Sequence, residues 1–285
     1  MTRTEFRYFD RLRVRWAEID AQKIVFNGHY LMYFDTAIAG YWRALALPYA
    51  QTLTQLEGDL FVRKATLEYE SSARYDDMLD VGMRCARVGS SSILFRASVF
   101  RQDQLLVSGE LVYVFADPHS QTSKPVPASL REVFRAFEAG EAMIDVRVGD
   151  WATLGPHAQA IRTEVFIDEQ KIPKEMEWDA ADHDGMHAVA FNRLGLPLST
   201  GRLLQHAPGV ARIGRMASVQ AVRGNGVGRQ VLDALLQAAR RRGDTEVLLH
   251  AQTSAAAFYA RAGFTPTGPV FEEAGIAHVE MTRTL

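Results

Sequence analysis

Hydrophobic and polar positions alternate differently in the two halves of the chain, and the first half is typical of one helix followed by strands. Apolar residues recur at helical spacing over residues 28–47, beginning with Tyr30 and Phe34. Period-two alternation then predicts three strands, over residues 61–69, 93–99 and 105–115. The short polar stretch 101–104 predicts an antiparallel hairpin. We therefore expect an α+β unit in which an antiparallel sheet buries one face against a long helix.

From residue 117 onward the pattern changes to alternating strands and helices. Ser129 is predicted to cap a short helix over residues 130–137, and the small residues of 139–142 indicate a hinge. We therefore place two domains at residues 1–140 and 141–285. The second domain is predicted to be α/β, a mixed sheet with helices on both faces. Its predicted helices are 156–169, 227–242 and 255–262, and its predicted strands are 186–191, 199–204, 210–219, 247–249 and 277–284.

Composition and charge narrow the range of partners. The formal net charge is −2, so no basic field favours nucleic acid or an anionic membrane as a partner. The one cysteine, Cys85, lies in a further predicted strand, residues 81–88, and can form no intrachain disulfide, which indicates inert packing and a reducing compartment. Residues 1–10 lack the apolar core of a signal peptide, and no run of about 18 apolar residues occurs. We expect a cytoplasmic protein.

The candidate chemistry of the first half lies in residues 15–30, where a loop leads into the long helix. Asp20 stands a few residues before the start of that helix. Backbone N–H groups of a first helical turn have no intrahelical partner and carry the positive end of the helix dipole. They can polarise a thioester carbonyl, while a nearby carboxylate attacks that carbonyl or deprotonates a water. Asp20 is therefore the candidate catalytic group, with an exposed loop carboxylate or a helix-cap partner as the alternative.

This segment resembles the signature of the 4-hydroxybenzoyl-CoA thioesterase family of hotdog proteins. The shared features are an Asp, a short turn, an apolar pair and then Asn-x-x-Tyr opening the helix, and the resemblance covers about residues 8–138. It implies a hotdog fold, with Asp20 as the catalytic carboxylate and a backbone N–H near Asn27 or Gly28 as the oxyanion donor. It also implies substrate-binding positions at Asn27, Gly28, His29 and Tyr30. His29 and Tyr30 either line the site or hold the helix start.

One position departs from the family pattern. The family often has Gly where this chain has Lys23. Either the turn tolerates a side chain here or the loop differs and activity is weakened, and a third interpretation has Lys23 reaching a CoA phosphate. The neighbouring acids Glu18 and Asp35 are expected to be solvated or structural.

The second half carries a glycine-rich run, residues 219–228, between a predicted strand and a predicted helix. Glycines let backbone approach a phosphate closely, and helix N–H groups can then bind it. No Gly-Lys-Ser/Thr follows, so a P-loop is excluded, and the glycine spacing fits a Rossmann fingerprint poorly. The run resembles motif A of the GNAT acetyltransferases through Arg223, Gly226 and Gly228. Residues 256–264, with their Phe-Tyr and Gly-Phe pairs, resemble the late helix of the same family.

The GNAT resemblance spans about residues 146–285 and implies roles for particular positions. Tyr259 would donate a proton to the departing CoA thiolate, with core packing of its ring as the alternative. Candidates for the general base are Glu164, His187 and His250. The implied CoA-binding residues are Met216, Ala217, Ser218 and Val219 for the pantetheine arm, and Arg223, Gly224, Asn225, Gly226, Val227 and Gly228 for the pyrophosphate.

Together the two resemblances predict a bifunctional enzyme that hydrolyses acyl-CoA in one domain and transfers an acetyl group to an amine in the other. The alternatives are an acyl-CoA sensor with one or both sites inactive, and a scaffold whose hotdog half dimerises the transferase. The expected partners are acyl-CoA, acetyl-CoA and a small amine acceptor, without a metal, since His183 and His187 lack a third ligand. Hotdog domains usually pair edge to edge, which implies a homodimer or homotetramer.

Overall fold

A computed structural model describes residues 1–285. The chain divides into two compact units, Met1–Met143 and Ile144–Leu285, which are described separately below. No helix in either unit has the length and apolar character needed to cross a membrane.

The first unit is built on a five-stranded antiparallel sheet with strand order β1-β3-β4-β5-β2. Strands β3, β4 and β5 form a continuous meander, so the hairpin predicted at residues 101–104 joins β4 to β5. The strands are β1 (Tyr8–Arg13), β2 (Asp59–Tyr69), β3 (Met78–Val88), β4 (Ser92–Arg101) and β5 (Gln104–Ala116).

Helix α1 (Asn27–Ala44) lies across this sheet and confirms the predicted helix-on-sheet arrangement. Its apolar residues recur on one face, and Phe34, Ala37 and Tyr41 are fully buried against the strands. Two shorter helices complete the unit, α2 (Tyr49–Gln55) and α3 (Ala128–Ala139). The predicted cap at Ser129 is wrong, because α3 begins at Ala128 after Pro127, whose fixed φ suits a helix start without any side-chain hydrogen bond.

Strand β2 forms one edge of the sheet and is far more exposed than the others. It pairs only with β5, and side chains on both of its faces reach solvent, including Phe61, Val62 and Tyr69. An exposed edge strand offers unpaired backbone N–H and C=O groups to another strand.

The second unit is a seven-stranded sheet with strand order β11-β12-β10-β9-β8-β7-β6. All neighbouring pairs are antiparallel except β9 and β10. The strands are β6 (Ile144–Gly149), β7 (Met186–Asn192), β8 (Pro197–Ala207), β9 (Val210–Ser218), β10 (Glu246–Gln252), β11 (Thr265–Glu273) and β12 (Ile276–Thr284). The helices are α4 (Trp151–Arg162), α5 (Lys174–Glu177), α6 (Ala181–Asp184), α7 (Val227–Arg242) and α8 (Ala256–Ala260).

The first helix of this unit differs from the prediction at both ends. It begins at Trp151 because Asp150 accepts a hydrogen bond from the Thr153 amide and caps the first turn. Pro156 therefore lies inside α4 rather than at its start. After Arg162 the chain continues as a π-helical turn, Thr163–Glu169. Such turns are rare in proteins, and those that occur often lie at functional sites.

Strands β9 and β10 run parallel for only three residue pairs and then separate. The paired residues are Val210 with Glu246, Ala211 with Val247 and Arg212 with Leu248. Beyond Arg212 the two strands share no ladder, although β9 continues to Ser218 and β10 to Gln252. The separation opens a wedge in the middle of the sheet.

Candidate functional sites

The loop that carries Asp20 is a tight turn closed by backbone hydrogen bonds. The Asp20 amide donates to the Ile24 carbonyl at 2.9 Å, and the Lys23 amide donates to the Asp20 carbonyl at 2.9 Å. One carboxylate oxygen of Asp20, Oδ1, accepts from the Gln22 amide at 2.8 Å. Lys23 has a φ of 61°, the left-handed conformation that glycine adopts without strain. The turn therefore keeps its left-handed conformation with a side chain in place of glycine.

The start of α1 presents open backbone donors near this turn. Phe26 occupies the cap position without a side-chain cap, and its own amide donates to the Glu18 carbonyl at 2.9 Å. The amides of Asn27 and Gly28 belong to the first turn, where an α-helix supplies no carbonyl partner. A Cβ on Gly28 would lie 2.9 Å from the Phe26 ring, so the ring packs closely over this backbone.

Buried polar side chains hold the loop against the helix. Glu18 accepts from the Tyr33 hydroxyl at 2.8 Å and from the Arg15 amide at 2.8 Å. Burial, together with the hydrogen bond to Glu18, raises the pKa of Tyr33 and keeps its hydroxyl a donor. The Tyr30 hydroxyl accepts from the Ala73 amide at 2.9 Å, which anchors the helix start from the other side. Glu18 and Tyr30 are thus positioning groups, and Glu18 is not solvated.

His29 is the remaining predicted residue of this site. Its ring lies edge-on to Phe26, with centroids 6.0 Å apart, and its Nδ1 atom is buried without a hydrogen-bond partner. Asn27, Gly28 and His29 thus form the first turn of α1, followed by the buried Tyr30, while Asp20 lies in the turn of the preceding loop.

The second unit contains a cavity of about 640 Å³ in the wedge between β9 and β10. The start of α7, helix α8, the π-helical turn and the β11–β12 hairpin also contribute to its walls. Of the predicted CoA-binding residues, all but two line it: Met216, Ala217, Ser218, Arg223, Gly224, Gly226, Val227 and Gly228. The exceptions are Val219 and Asn225, whose amides donate to Leu198 and Val222.

The glycine-rich run forms an open cradle at one end of this cavity. Gly224 and Gly226 have φ values of 86° and 78°, and a Cβ on either would meet no atom within 4 Å. Gly226 directly precedes α7, so the first-turn amides of that helix face the cradle. A Cβ on Gly228 would lie 3.0 Å from Ser218 Oγ, which shows how closely α7 packs on β9.

The side chain of Arg223 fastens this loop to the π-helical turn. Its guanidinium donates to both carboxylate oxygens of Glu169, at 2.7 and 2.5 Å, and to the Ser218 carbonyl at 2.9 Å. The hydrogen bond from Arg223 lowers the pKa of Glu169, so the pair stays ionised. Arg229 and Arg261 are among the four further arginines that line the cavity, and Arg229 pairs with Asp233 at 2.9 Å.

Tyr259 lies in the wall of the cavity and is 8% exposed. Its ring contacts those of Phe258 and Phe264, with centroids 4.9 and 6.0 Å away, so it also packs in the core. Burial raises the pKa of Tyr259 to about 12. The phenol therefore retains its proton at neutral pH, as a proton donor must.

Of the three candidates for a general base, only His250 lines the cavity. Its Nδ1 lies 3.1 Å from Glu273 Oε2 and 3.2 Å from the Arg212 guanidinium, and its Nε2 lies 3.6 Å from Glu280 Oε2. His187 is buried away from the cavity, with Nε2 2.9 Å from the Asp182 carbonyl, and burial lowers its pKa. Glu164 does not line the cavity either.

Comparison with known families accounts for both halves of the chain. The "Acetyltransferase (GNAT) domain" family model matches residues 153–285, and the "Thioesterase superfamily" model matches residues 22–108. The uncharacterized N-acetyltransferase YjcF of Bacillus subtilis is 32% identical over 124 residues, which are 43% of this chain and 87% of that protein.

The C-terminal half is a GNAT acetyltransferase domain.

The N-terminal half carries a thioesterase superfamily domain, so both predicted resemblances are confirmed. The acyl-CoA thioester hydrolase YbgC of Escherichia coli O157:H7 is 28% identical over 137 residues, 47% of this chain and 99% of that protein. Among solved structures, an acyl-CoA N-acyltransferase from Pseudomonas aeruginosa is 38% identical and covers 49% of this chain and 99% of its own, with a TM-score of 0.45.

Sequence reasoning missed several groups that the structure brings to the GNAT cavity. Arg212, Glu273 and His278 come from three different strands and meet only because β9, β10, β11 and β12 are neighbours in the sheet. The π-helical turn contributes Val165 and Phe166, and its Glu169 holds the glycine-rich loop.

Proposed function

We propose that this protein is a bifunctional enzyme acting on CoA thioesters. Its thioesterase domain hydrolyses acyl-CoA, and its GNAT domain transfers an acetyl group from acetyl-CoA to a small amine. One arrangement, found in both domains, supports the proposal: a helix start with open backbone donors follows the loop, or lines the cavity, that contains a group suited to thioester chemistry. That group is Asp20 in the first domain and Tyr259 in the second.

In the thioesterase domain, the amide of Asn27 or Gly28 would hold the thioester carbonyl oxygen. Asp20 would then attack the carbonyl carbon itself or take a proton from an attacking water. The C–S bond breaks as the tetrahedral intermediate collapses. On the water route, Asp20 passes the proton taken from the water to the CoA thiolate. On the nucleophilic route, a water hydrolyses the acyl–Asp20 anhydride, which frees the carboxylate and supplies the proton for the thiolate. His29 would line the acyl site, while Tyr30 and Glu18 hold the loop and helix in register.

In the GNAT domain, the backbone amides of the glycine-rich loop and the start of α7 would bind the pyrophosphate, with Arg229 and Arg261 adding positive charge. The end of β9 beyond Arg212, which has no ladder with β10, would bind the pantetheine arm. His250 would take a proton from the acceptor ammonium, and the free amine would attack the acetyl carbon. The C–S bond then breaks and Tyr259 protonates the thiolate. The second amine proton returns to the Tyr259 phenolate, and His250 releases the first to solvent.

The assembly we propose is a homodimer or homotetramer in which β2 of one protomer pairs with β2 of another. The exposed edge and the apolar side chains of β2 support this pairing. The single cysteine, Cys85, is consistent with work in the reducing cytoplasm.

The hydrolase activity is tested by thiol release from a panel of acyl-CoA esters. With Asp20→Asn we expect release to fall about a hundredfold or more, because the attacking or proton-accepting carboxylate is lost. Asp35→Asn, an exposed acid on α1, is the matched control and keeps the rate of the unaltered protein. Equal rates in the two variants, with circular dichroism unchanged, would remove Asp20 from the mechanism.

An acyl-CoA sensor is the second candidate for the first domain. The observation that favours it is the left-handed Lys23, which puts a strained turn directly beside Asp20. A sensor binds acyl-CoA in calorimetry without releasing thiol. Binding and turnover measured on the same preparation therefore separate the two functions.

A further inference from the structure

A second, smaller cavity opens beside the GNAT cavity and has no role in the proposed chemistry so far. Its volume is about 220 Å³, and four residues line both cavities: Arg212, Gly214, Arg215 and Glu273. No residue of the glycine-rich loop lines it. The two cavities therefore share a wall, formed by β9 and Glu273, that includes no residue of the glycine-rich loop.

The cations of the side cavity are neutralised with one exception. Arg202 pairs with Asp179 at 2.5 Å and with Asp182 at 2.8 Å, and Arg215 pairs with Asp179 at 3.0 Å. Arg212 has no carboxylate within 4 Å, and its only side-chain hydrogen bond is the 3.2 Å contact with His250 Nδ1. Arg212 is thus the cation of this cavity without a salt bridge, although its charge helps to lower the pKa of the nearby Glu273 carboxyl.

The contact between Arg212 and His250 is itself a weak one. Nδ1 of His250 also lies 3.1 Å from the Glu273 carboxylate, and a single ring nitrogen cannot donate to Glu273 and accept from Arg212 at once. Although burial raises the pKa of Glu273, the hydrogen bond from His250 and the nearby cations lower it overall. A charged Glu273 favours the tautomer in which Nδ1 donates, which leaves the Arg212 guanidinium available to another acceptor.

We infer that the acceptor of the GNAT domain is a small amine that also carries a carboxylate, and that Arg212 binds this carboxylate in the side cavity. A guanidinium pairs with a carboxylate through two parallel hydrogen bonds, and a half-buried cation gains most from such a partner. The amine end of the same molecule then faces His250 and Glu273 in the main cavity. An acceptor of the amino-acid class carries both groups, and the inference rests on the proposed acetyl transfer.

The test compares amino acids with the amides of the same amino acids as acceptors for the full-length protein. Products are quantified by mass spectrometry at fixed acetyl-CoA. We expect kcat/KM for the acids to exceed that for the amides about tenfold, since a charge-assisted hydrogen-bonded pair is lost in the amide. Arg212→Gln removes this preference by raising KM for the acids, and Arg212→Lys keeps part of it.

Arg241→Gln is the matched control, because Arg241 is exposed on α7 and lines neither cavity. It retains the preference of the unaltered protein. Calorimetry with acetyl-CoA is run on every variant, and Arg212→Gln binds acetyl-CoA as the unaltered protein does.

Equal use of acids and amides by the unaltered protein would overturn the inference, as would an equal loss for both in Arg212→Gln. If acetyl-CoA binds but no member of either class is acetylated, the acceptor class is wrong while the CoA site stands. If acetyl-CoA does not bind at all, the proposed transferase function fails and the inference falls with it.

Discussion

At the scale of single residues, Lys23 shows what a substitution at a glycine position costs. Its left-handed φ of 61° carries a penalty that glycine does not have. Gln102, in the β4–β5 hairpin, has a similar φ of 55° and lies far along the chain from Asp20. The two positions form a matched pair, one beside the candidate catalytic group and one remote from it.

Lys23→Gly and Gln102→Gly are each expected to raise the free energy of unfolding by about 1 kcal/mol, because left-handed strain is relieved. Urea unfolding measures this. Hydrolysis stays unchanged in both variants, since the turn already has the required conformation. A rise in KM for acyl-CoA with Lys23→Gly alone would show instead that Lys23 contacts a CoA phosphate.

Tyr259 gives a prediction with a defined pH dependence. Burial raises its pKa to about 12, so the folded protein holds this proton more tightly than the unfolded chain. The resulting stability is present in full below the ordinary phenol pKa of about 10 and is lost as pH rises toward 12. Tyr259→Phe removes this loss, which chemical unfolding at pH 9 and pH 11 detects.

The same variant tests the catalytic role of the phenol. We expect Tyr259→Phe to lower kcat for acetyl transfer about a hundredfold while leaving the affinity for acetyl-CoA unchanged. An unaltered kcat would show that Tyr259 serves core packing only. Any fall in rate below pH 10 has to come from another group, because Tyr259 remains protonated there.

At the scale of elements, the start of α7 needs a left-handed residue directly before the proposed phosphate site. Gly226 has a φ of 78° and precedes the amides that face the cavity, while Gly195 has the same φ of 78° in the turn between β7 and β8. A Cβ on either glycine would meet no atom within 4 Å, so alanine adds strain without a clash at both sites.

Gly226→Ala and Gly195→Ala are each expected to lower the free energy of unfolding by about 1–2 kcal/mol. Only Gly226→Ala is expected to weaken acetyl-CoA binding, because the strain shifts the helix start that we propose binds the pyrophosphate. Calorimetry distinguishes the two variants. Unchanged affinity in Gly226→Ala would move the phosphate site away from this helix start.

Elements with a strong periodic signal were predicted well from the sequence. Helix α7 has the predicted bounds, Val227–Arg242, because its apolar face and the following glycine are local signals. Strand β11 was missed because Pro266, Gly268 and Pro269 are turn signals, and an edge strand tolerates them. The charged residues of the GNAT cavity, such as Arg212 and Glu273, meet because strands distant in the chain are neighbours in the sheet. A single sequence does not show which strands pair.

At the scale of the whole molecule, the exposed edge of β2 predicts self-association. Val62 on β2 is 56% exposed, and an acidic side chain there puts charge into the surface that we propose is shared. Light scattering of the unaltered protein is expected to give at least twice the chain mass of 31.8 kDa, and Val62→Asp to give the monomer.

Val148→Asp is the control for this experiment, because Val148 is an exposed valine on β6, an edge strand of the other sheet. It leaves the assembly intact. A monomer for the unaltered protein would refute the proposed pairing, and dissociation by Val148→Asp but not Val62→Asp would move the interface to the GNAT domain.

The parting of β9 and β10 after three residue pairs has a mechanical consequence for the GNAT domain. Over its last residues, each strand has one edge without a partner strand. Both strands lie inside the sheet, where the other strands are paired on both edges. A cosubstrate whose arm contains amide groups can act there as a short surrogate strand. Binding of the cosubstrate would then join the two parts of the sheet through backbone hydrogen bonds, so the bound domain would be more rigid than the free one.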